Sequence, residues 1–479
     1  MTPTFDQLDV IFCEGWDPTG HAIVGPIPPE AARGRDERGD EYAVMLFASG
    51  APRALLEVSW KSHACRAWGF DDCRRRTTKH DLRLVDDGQL LLVEEIQWEY
   101  SDGMQVEFAP EVPKRISQPQ TGKPGGGVLV ITEHTRTLMD GPAGGPSLRR
   151  PAFGDWDELL FSTRPSALAA GGHETGEEEF DEDLRALLAQ LAHSNGSWEA
   201  QPLLPNEWAA ARLVQHHPVP AGIAVTPYVR PVWQPPHPLE PDPQTLAFSP
   251  TVRSTSLNGQ RVLLESHIIG ALQLPTGHVV AADPHDYFLT DRKSFTVTLP
   301  PGNHRFFVNV TRSTEPTGIR PRVAAGGLII SDEQITSWEL ALLDGEDPRI
   351  LRDGETYGFG VDSGTACFMD AAAVQTVVNN AAGGENPLQE RETGGVRIGF
   401  TGDSLSGAGL IAFESGWGDG SYPVWVGRAA NRSVVCLVAD MLLDARMRSP
   451  AALPLATTSV VNRGAGATSA TSTPLEGTS

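Results

Sequence analysis

The sequence predicts an α+β protein: a β-rich N-terminal lobe folded as an antiparallel meander, a short helical and Pro-rich connector, a C-terminal α+β lobe with an antiparallel sheet, and a disordered tail. Three observations carry this expectation. Apolar runs of strand length dominate the first third and recur after Leu246, separated by turn residues. Between them the composition becomes acidic and then proline-dense. After Pro454, Ser, Thr, Ala and Gly leave few large apolar groups to offset chain entropy. The boundaries expected are 1–165 for the first domain, 166–245 for the connector, 246–447 for the second domain and 448–479 for the tail. A chain of 479 residues is long enough for such a division.

In the first domain, Tyr42 to Ala48, Arg53 to Trp60 and Cys65 to Phe70 read as strands. Leu82 to Val85 and Leu90 to Trp98 flank Asp86-Asp87-Gly88, a hairpin signal because glycine accepts positive φ. Ser101-Asp102-Gly103 offers a second hairpin, Val128 to Thr132 a further strand, and Asp155 to Phe161 a short helix. In the connector, Phe180, Leu184, Leu187, Leu188 and Leu191 lie on one helical stripe after the acidic stretch Gly171 to Asp183. Asn206 is placed to cap a second helix reaching about His216, and Pro218 to Pro243 is expected to be extended. In the second domain, strands are expected at Arg261 to Glu265, Phe295 to Leu299, Arg305 to Val310 and Arg322 to Ile330. A helix at Ala371 to Ala382 and a closing meander (Gly409 to Phe413, Pro423 to Gly427, Ser433 to Val438) complete it.

The formal net charge of −23 disfavours phosphate backbones and anionic lipid, so neither nucleic acid nor membrane is an expected partner. No basic leader with an apolar run opens the chain, and no apolar stretch has spanning length. Five widely separated cysteines then read as reduced thiols, which fits a cytoplasmic location. The excess of Arg over Lys, with abundant Ala, Gly and Pro, fits a GC-rich bacterial genome.

The C-terminal region resembles bacterial proteins grouped as the domain of unknown function 4241 family. The resemblance lies in Leu274-Pro-Thr-Gly-His-Val-Val-Ala-Ala-Asp283-Pro284, Trp338-Glu339-Leu340-Ala341-Leu342 and Tyr357-Gly-Phe-Gly-Val-Asp362-Ser-Gly-Thr-Ala-Cys-Phe-Met-Asp370. It continues in Phe413-Glu-Ser-Gly-Trp-Gly-Asp419-Gly-Ser-Tyr422-Pro423 and Val438-Ala-Asp440. That family more often has Ala at the position of Ser363 and Gly at that of Ala366. The resemblance implies no activity, substrate or cofactor.

Asp362-Ser363-Gly364-Thr365 has the form of an aspartic-protease turn, which makes Asp362 the catalytic candidate. That chemistry needs two carboxylates, so a homodimer would have to supply the second. Gly394 to Gly399 and Val424 to Gly427 follow in the order of a flap and an apolar-apolar-Gly segment. The competing interpretation is a turn in which Asp362 bonds its own backbone and Gly364 takes positive φ. Asp370 reads as a helix N-cap and Cys367 as a buried small hydrophobe.

Ser415-Gly416-Trp417-Gly418-Asp419-Gly420, followed by Tyr422, has alternating glycines that let backbone approach another loop or a ligand. Glu339, Asp362 and Asp419 are expected to meet at one sheet end, where a hard cation, a donor or a proton would relieve their repulsion. No calcium-loop spacing is present, so no metal is assigned. His63, Cys65, Cys73 and His80 lack a CxxC knuckle. Arg74-Arg75-Arg76 reads as a solvated strand end or a patch for an acidic partner, and Gly122 to Gly127 does not have the order of a phosphate loop. No cofactor is expected. The function expected is a non-catalytic binding or interaction protein of immunity or regulatory type, acting on a protein or small-molecule ligand. The alternative is a hydrolase centred on Asp362, either dimeric aspartyl or metal-assisted.

Overall fold

The computed structural model describes residues 7–161 except 86–87, 102, 104, 120–127, 132–135 and 140–146. It also describes 203–204, 211–215, 219, 221–228, 461–462, and 232–443 except 258–259, 286–288, 290–291, 314–319, 383–388 and 403–408. Two compact units divide at Pro236–His237. Among the described residues, no helix is long and apolar enough to cross a membrane.

The N-terminal unit runs β1 (Gln7–Asp17), β2 (Ala22–Pro26), α1 (Pro29–Arg38), β3 (Tyr42–Ala48), β4 (Ala51–Ser59), β5 (Ala64–Phe70), β6 (Arg76–Leu84) and β7 (Gln89–Trp98). It continues with β8 (Lys114–Pro119), β9 (Val128–Ile131), β10 (Arg136–Met139), β11 (Ser147–Arg149), α2 (Asp157–Phe161), β12 (Arg212–Gln215) and β13 (Ala224–Thr226). From β3 to β10 the strands neighbour one another in chain order, as a meander should. One sheet results, in the order β10-β9-β8-β7-β6-β5-β4-β3-β1-β2-β13.

Strand alternation sorts the sheet's two faces. Val10, Phe12, Tyr42, Val44, Leu56, Ala67 and Leu92 build one core, closed by Ala32 of α1 and by Trp156, Leu159 and Leu160 around α2. Ile11, Ala43, Met45, Phe47, Leu55 and Trp68 point the other way into a second core. Further along that second face the residues become charged: Glu57, Arg66, Asp81 and Glu94 lie opposite one another across four strands. Being buried on both faces, β1 shows no alternation, which is why the sequence pattern predicts no element there. The proline at the start of α1 and Gly39 just after it, at φ +76°, were its available signals.

Several expectations are corrected here. Ser101 to Gly103 does not close a hairpin directly; β7 and β8 are joined through residues 99–113, and Glu99 N donates to Pro113 O. The helix expected to reach His216 instead includes strand β12, paired parallel with β1, because Leu213 finds the first core there. The Pro-rich segment is not uniformly a free connector. Its residues 224–226 form β13 beside β2, while Leu239 N donates to Glu355 O in the second unit. Gly122 to Gly127, Gly171 to Asp183, the stripe from Phe180 to Leu191, Asn206 and His216 lie outside the described residues.

The C-terminal unit holds α3 (Pro243–Leu246), β14 (Arg253–Leu257), β15 (Gln260–Leu274), β16 (Val279–Ala282), β17 (Gly302–Ser313), β18 (Arg322–Ile329), β19 (Ser337–Leu340), β20 (Tyr357–Val361) and β21 (Thr365–Asp370). After a 3-10 turn at Ala371–Ala373 come α4 (Val374–Ala382), β22 (Gln389–Thr393), β23 (Val396–Gly402), β24 (Gly409–Glu414), β25 (Gly420–Tyr422), β26 (Val424–Arg428), β27 (Val434–Asp440) and the two-residue β28 (Val461–Asn462). Seven strands form one sheet, β14-β15-β17-β18-β27-β26-β19, and five form a second, β16-β21-β24-β23-β22.

Phe306, Val308, Val323, Val426 and Leu437 of the first sheet share a core with Ala281, Phe368, Ile398, Ile411 and Phe413 of the second. The Phe306 ring sits edge-on to Phe368 at 5.8 Å and tilted to Phe413 at 5.6 Å, so two sheets pack face to face. The closing meander is therefore split: β24 belongs to the five-stranded sheet, while β26 and β27 pair in the other. Phe295 to Leu299 forms no strand and makes one isolated bridge, Thr298 to His278. Apart from β28, the tail lies outside the described residues.

Candidate functional site

The Asp362 turn joins a three-stranded sheet, β25-β20-β28, to the five-stranded one. Strand β20 ends at Val361, the chain reverses through Asp362, Ser363 and Gly364, and β21 returns into the five-stranded sheet. Gly364 has φ +71°, a conformation that disfavours a side-chain-bearing residue, so glycine suits the reversal. The turn is not closed by its own aspartate. Asp283, just after β16 and only 3 % exposed, accepts from Asp362 N at 2.9 Å, Ser363 N at 2.6 Å and Ser363 Oγ at 2.8 Å. It also accepts from His285 N at 2.8 Å. The carboxylate of Asp362 has no hydrogen-bond partner among the described residues and stands exposed, as does Ser363.

A second buried acid secures the other end of β21. Asp370 accepts from Thr276 N at 3.0 Å, from Thr276 Oγ1 at 2.8 Å and from Ala372 N at 2.9 Å. It caps the 3-10 turn that leads into α4, as its place before the apolar run predicts. Cys367, between these acids, is fully buried; burial first, and the Asp283 carboxylate second, push its thiol well up. Such a thiol is a packing group at neutral pH.

The Ser415 to Tyr422 loop abuts the Asp362 turn. Ser415 N donates to Gly364 O at 3.0 Å, and β25 pairs with β20 so that Val361 opposes Gly420. Asp362 and Asp419 thus each lie one residue beyond the last pair of that ladder. The loop also holds itself: Ser415 Oγ donates to Gly418 O at 2.8 Å, and the Tyr422 hydroxyl lies 2.8 Å from Ser415 O and 2.7 Å from Gly418 O. Burial pushes the Tyr422 phenol up to about 12, so it stays a donor. Arg322, at the start of β18, donates from Nη1 to Gly416 O at 2.7 Å and lays its guanidinium 4.2 Å from the centre of the Trp417 ring. Trp417 is nevertheless 46 % exposed.

Glu339 does not join them. It opposes Val426, four residues past Tyr422, which along a strand is roughly 13 Å. Its carboxylate takes Arg428 Nε at 2.5 Å and Arg432 Nη2 at 3.3 Å. The expected three-way convergence is therefore a two-way one, because β26 carries Glu339's partner away from the turn. Gly394 and Gly395 form the tight turn joining β22 to β23 within the five-stranded sheet, and Val424 to Gly427 lies in the seven-stranded sheet.

In the N-terminal unit the basic run is internally engaged. Arg75 pairs with Asp71 and covers Tyr100 at 4.2 Å, and Arg76 pairs with Glu107 at 2.9 Å. Cys65 and His80 are buried, whereas Cys73 is exposed on a loop. Among the described residues, no three His, Cys, Asp or Glu side chains gather as a metal would require.

Sequence reasoning missed Asp283 and Arg322. Asp283 carried a signal, an acid directly after an apolar run and before proline. Arg322 carried none, since its partner lies 94 residues ahead.

Residues 272–439 match the family model described as Protein of unknown function (DUF4241). The DUF4241 region thus spans β16 to most of β27, including both buried acids, the Asp362 turn and the Trp417 loop. No curated protein and no solved structure matches the chain.

Proposed function

We propose that this is a non-catalytic interaction protein of the bacterial cytoplasm, immunity or regulatory in type, whose DUF4241 region presents Trp417 to a basic protein partner. The observation that carries this is the exposed Trp417 ring held in place by Arg322. A large aromatic already fixed by its neighbours loses little freedom on binding, which is the character of an interface hot spot. The two exposed acids beside it, Asp362 and Asp419, match a cationic partner, and the chain's charge of −23 would steer such a partner in. The alternative, a hydrolase centred on Asp362, would need a second copy of the chain or a metal to complete its chemistry.

Two substitutions test the proposal. Trp417→Ala should weaken partner binding by about 2 kcal/mol, roughly 30-fold. It should cost no more than about 2 kcal/mol of stability, because the ring is 46 % exposed and loses only its partial burial and the Arg322 contact. Affinity capture from the native host with the full chain, followed by quantitative binding to the captured protein, reads the first; thermal melting reads the second. Asp362→Asn should slow association roughly fivefold at low salt, an effect that fades as salt rises. Its melting temperature should hold, since the turn uses Asp362 through its backbone N–H. Unchanged association at all salt concentrations would remove Asp362 from the surface.

A further inference from the structure

We propose that the buried Nε–Nη2 edge of Arg83, on the polar half of the N-terminal sheet, binds a small molecule through a two-oxygen anionic group, a carboxylate or a phosphate. Arg83 lies on β6, on the same face as Lys79 and Asp81, and is 1 % exposed. Its Nη1 donates to Asp81 Oδ1 at 2.7 Å and to Leu82 O at 3.1 Å. Its Nε and Nη2 are buried and have no acceptor among the described residues. Those two N–H groups form the parallel fork that matches a carboxylate or phosphate side-on. Two guanidinium donors removed from water without an acceptor are costly, so an acceptor is expected there.

The neighbouring acids are committed elsewhere. Glu57 accepts from Trp68 Nε1 at 3.0 Å and lies 3.6 Å from Arg66. Glu94 faces Lys79 at 3.2 Å and accepts from Gln118 at 2.9 Å. Asp81 is shared by Arg83, by Lys79 at 3.0 Å and by Arg66 at 3.9 Å. Three cations here meet three carboxylates. Burial pushes the Glu57 carboxyl up, and any proton it takes leaves the cations in excess, a local field that favours an anion. Small residues neighbour Arg83 in the ladder: Ala64 opposes it, and Ser59 opposes Ala64.

Calorimetric titration of the full chain with inorganic phosphate, and separately with acetate, tests this. One saturable site is expected for at least one anion, and the stronger arm identifies the group. Arg83→Lys keeps the charge but loses the fork, and should bind at least tenfold more weakly while its circular dichroism is unchanged. Should that variant not fold, a crystal structure of the wild type at saturating anion decides, with two oxygens expected on Nε and Nη2. No saturable binding of either anion, equal binding by a folded Arg83→Lys, or an anion seated elsewhere would overturn the proposal.

Discussion

Asp283→Ala is expected to destabilise the C-terminal unit by about 3 kcal/mol, because a buried anionic acceptor is removed from several donors at once. Those donors are the backbone N–H groups of Asp362, Ser363 and His285 and the Ser363 hydroxyl. Exposed Asp362 and Ser363 can recover water, which keeps the loss below a simple sum over the bonds. Asp283→Asn should be nearly as damaging, since one acceptor oxygen becomes an amide that faces N–H donors. Urea unfolding should show a lower midpoint with an unchanged slope. A loss under about 1 kcal/mol in both variants would mean that the turn closes without the acid.

Asp81→Asn is expected to cost the N-terminal unit about 3 kcal/mol at pH 7, as breaking a buried pair does. Burial alone would push the Asp81 carboxyl up, but Lys79, Arg83 and Arg66 outweigh it and hold the group well below the usual carboxylate range. The sign follows from that depression. A carboxyl bound more weakly by protons in the folded state contributes stability above its unfolded pKa, near 3.9, and loses it as pH falls toward the folded value. Wild-type and variant stabilities should therefore differ most at neutral pH and converge in acid. A difference that is constant across pH would show that packing, rather than charge, explains the cost.

Much of the architecture was legible because local chemistry and tertiary environment agreed. The runs at Tyr42, Arg53 and Cys65 are strands, and β6 and β7 pair as far as Leu84 opposite Leu90 on either side of Asp86 to Gly88, of which Asp86 and Asp87 lie outside the described residues. Asp370 capped as its position required. What could not be read depends on long-range partners. Strand β12 exists because β1 accepts it in parallel register, a pairing that separates residues some 200 positions apart and leaves no local trace. The split of β24 from β26 likewise reflects which sheet each run enters, since either run alone is simply apolar. At the site, the Asp362 turn and the Trp417 loop were recognised as glycine-bearing reversals and do meet. Glu339 looked equivalent by type, yet its register opposite Val426 delivers it to Arg428.

Site-specific photo-crosslinking tests the proposal that Trp417 contacts a basic protein. A photoreactive tryptophan analogue, which keeps the indole, would be placed at position 417 of the full chain and, as a control, at Val252, which is 58 % exposed in the same unit. After irradiation in the native host, position 417 should yield one dominant adduct with a basic protein, diminished by Asp362→Asn, and position 252 should not. Equal adducts from both positions, or none from 417, would contradict the claim.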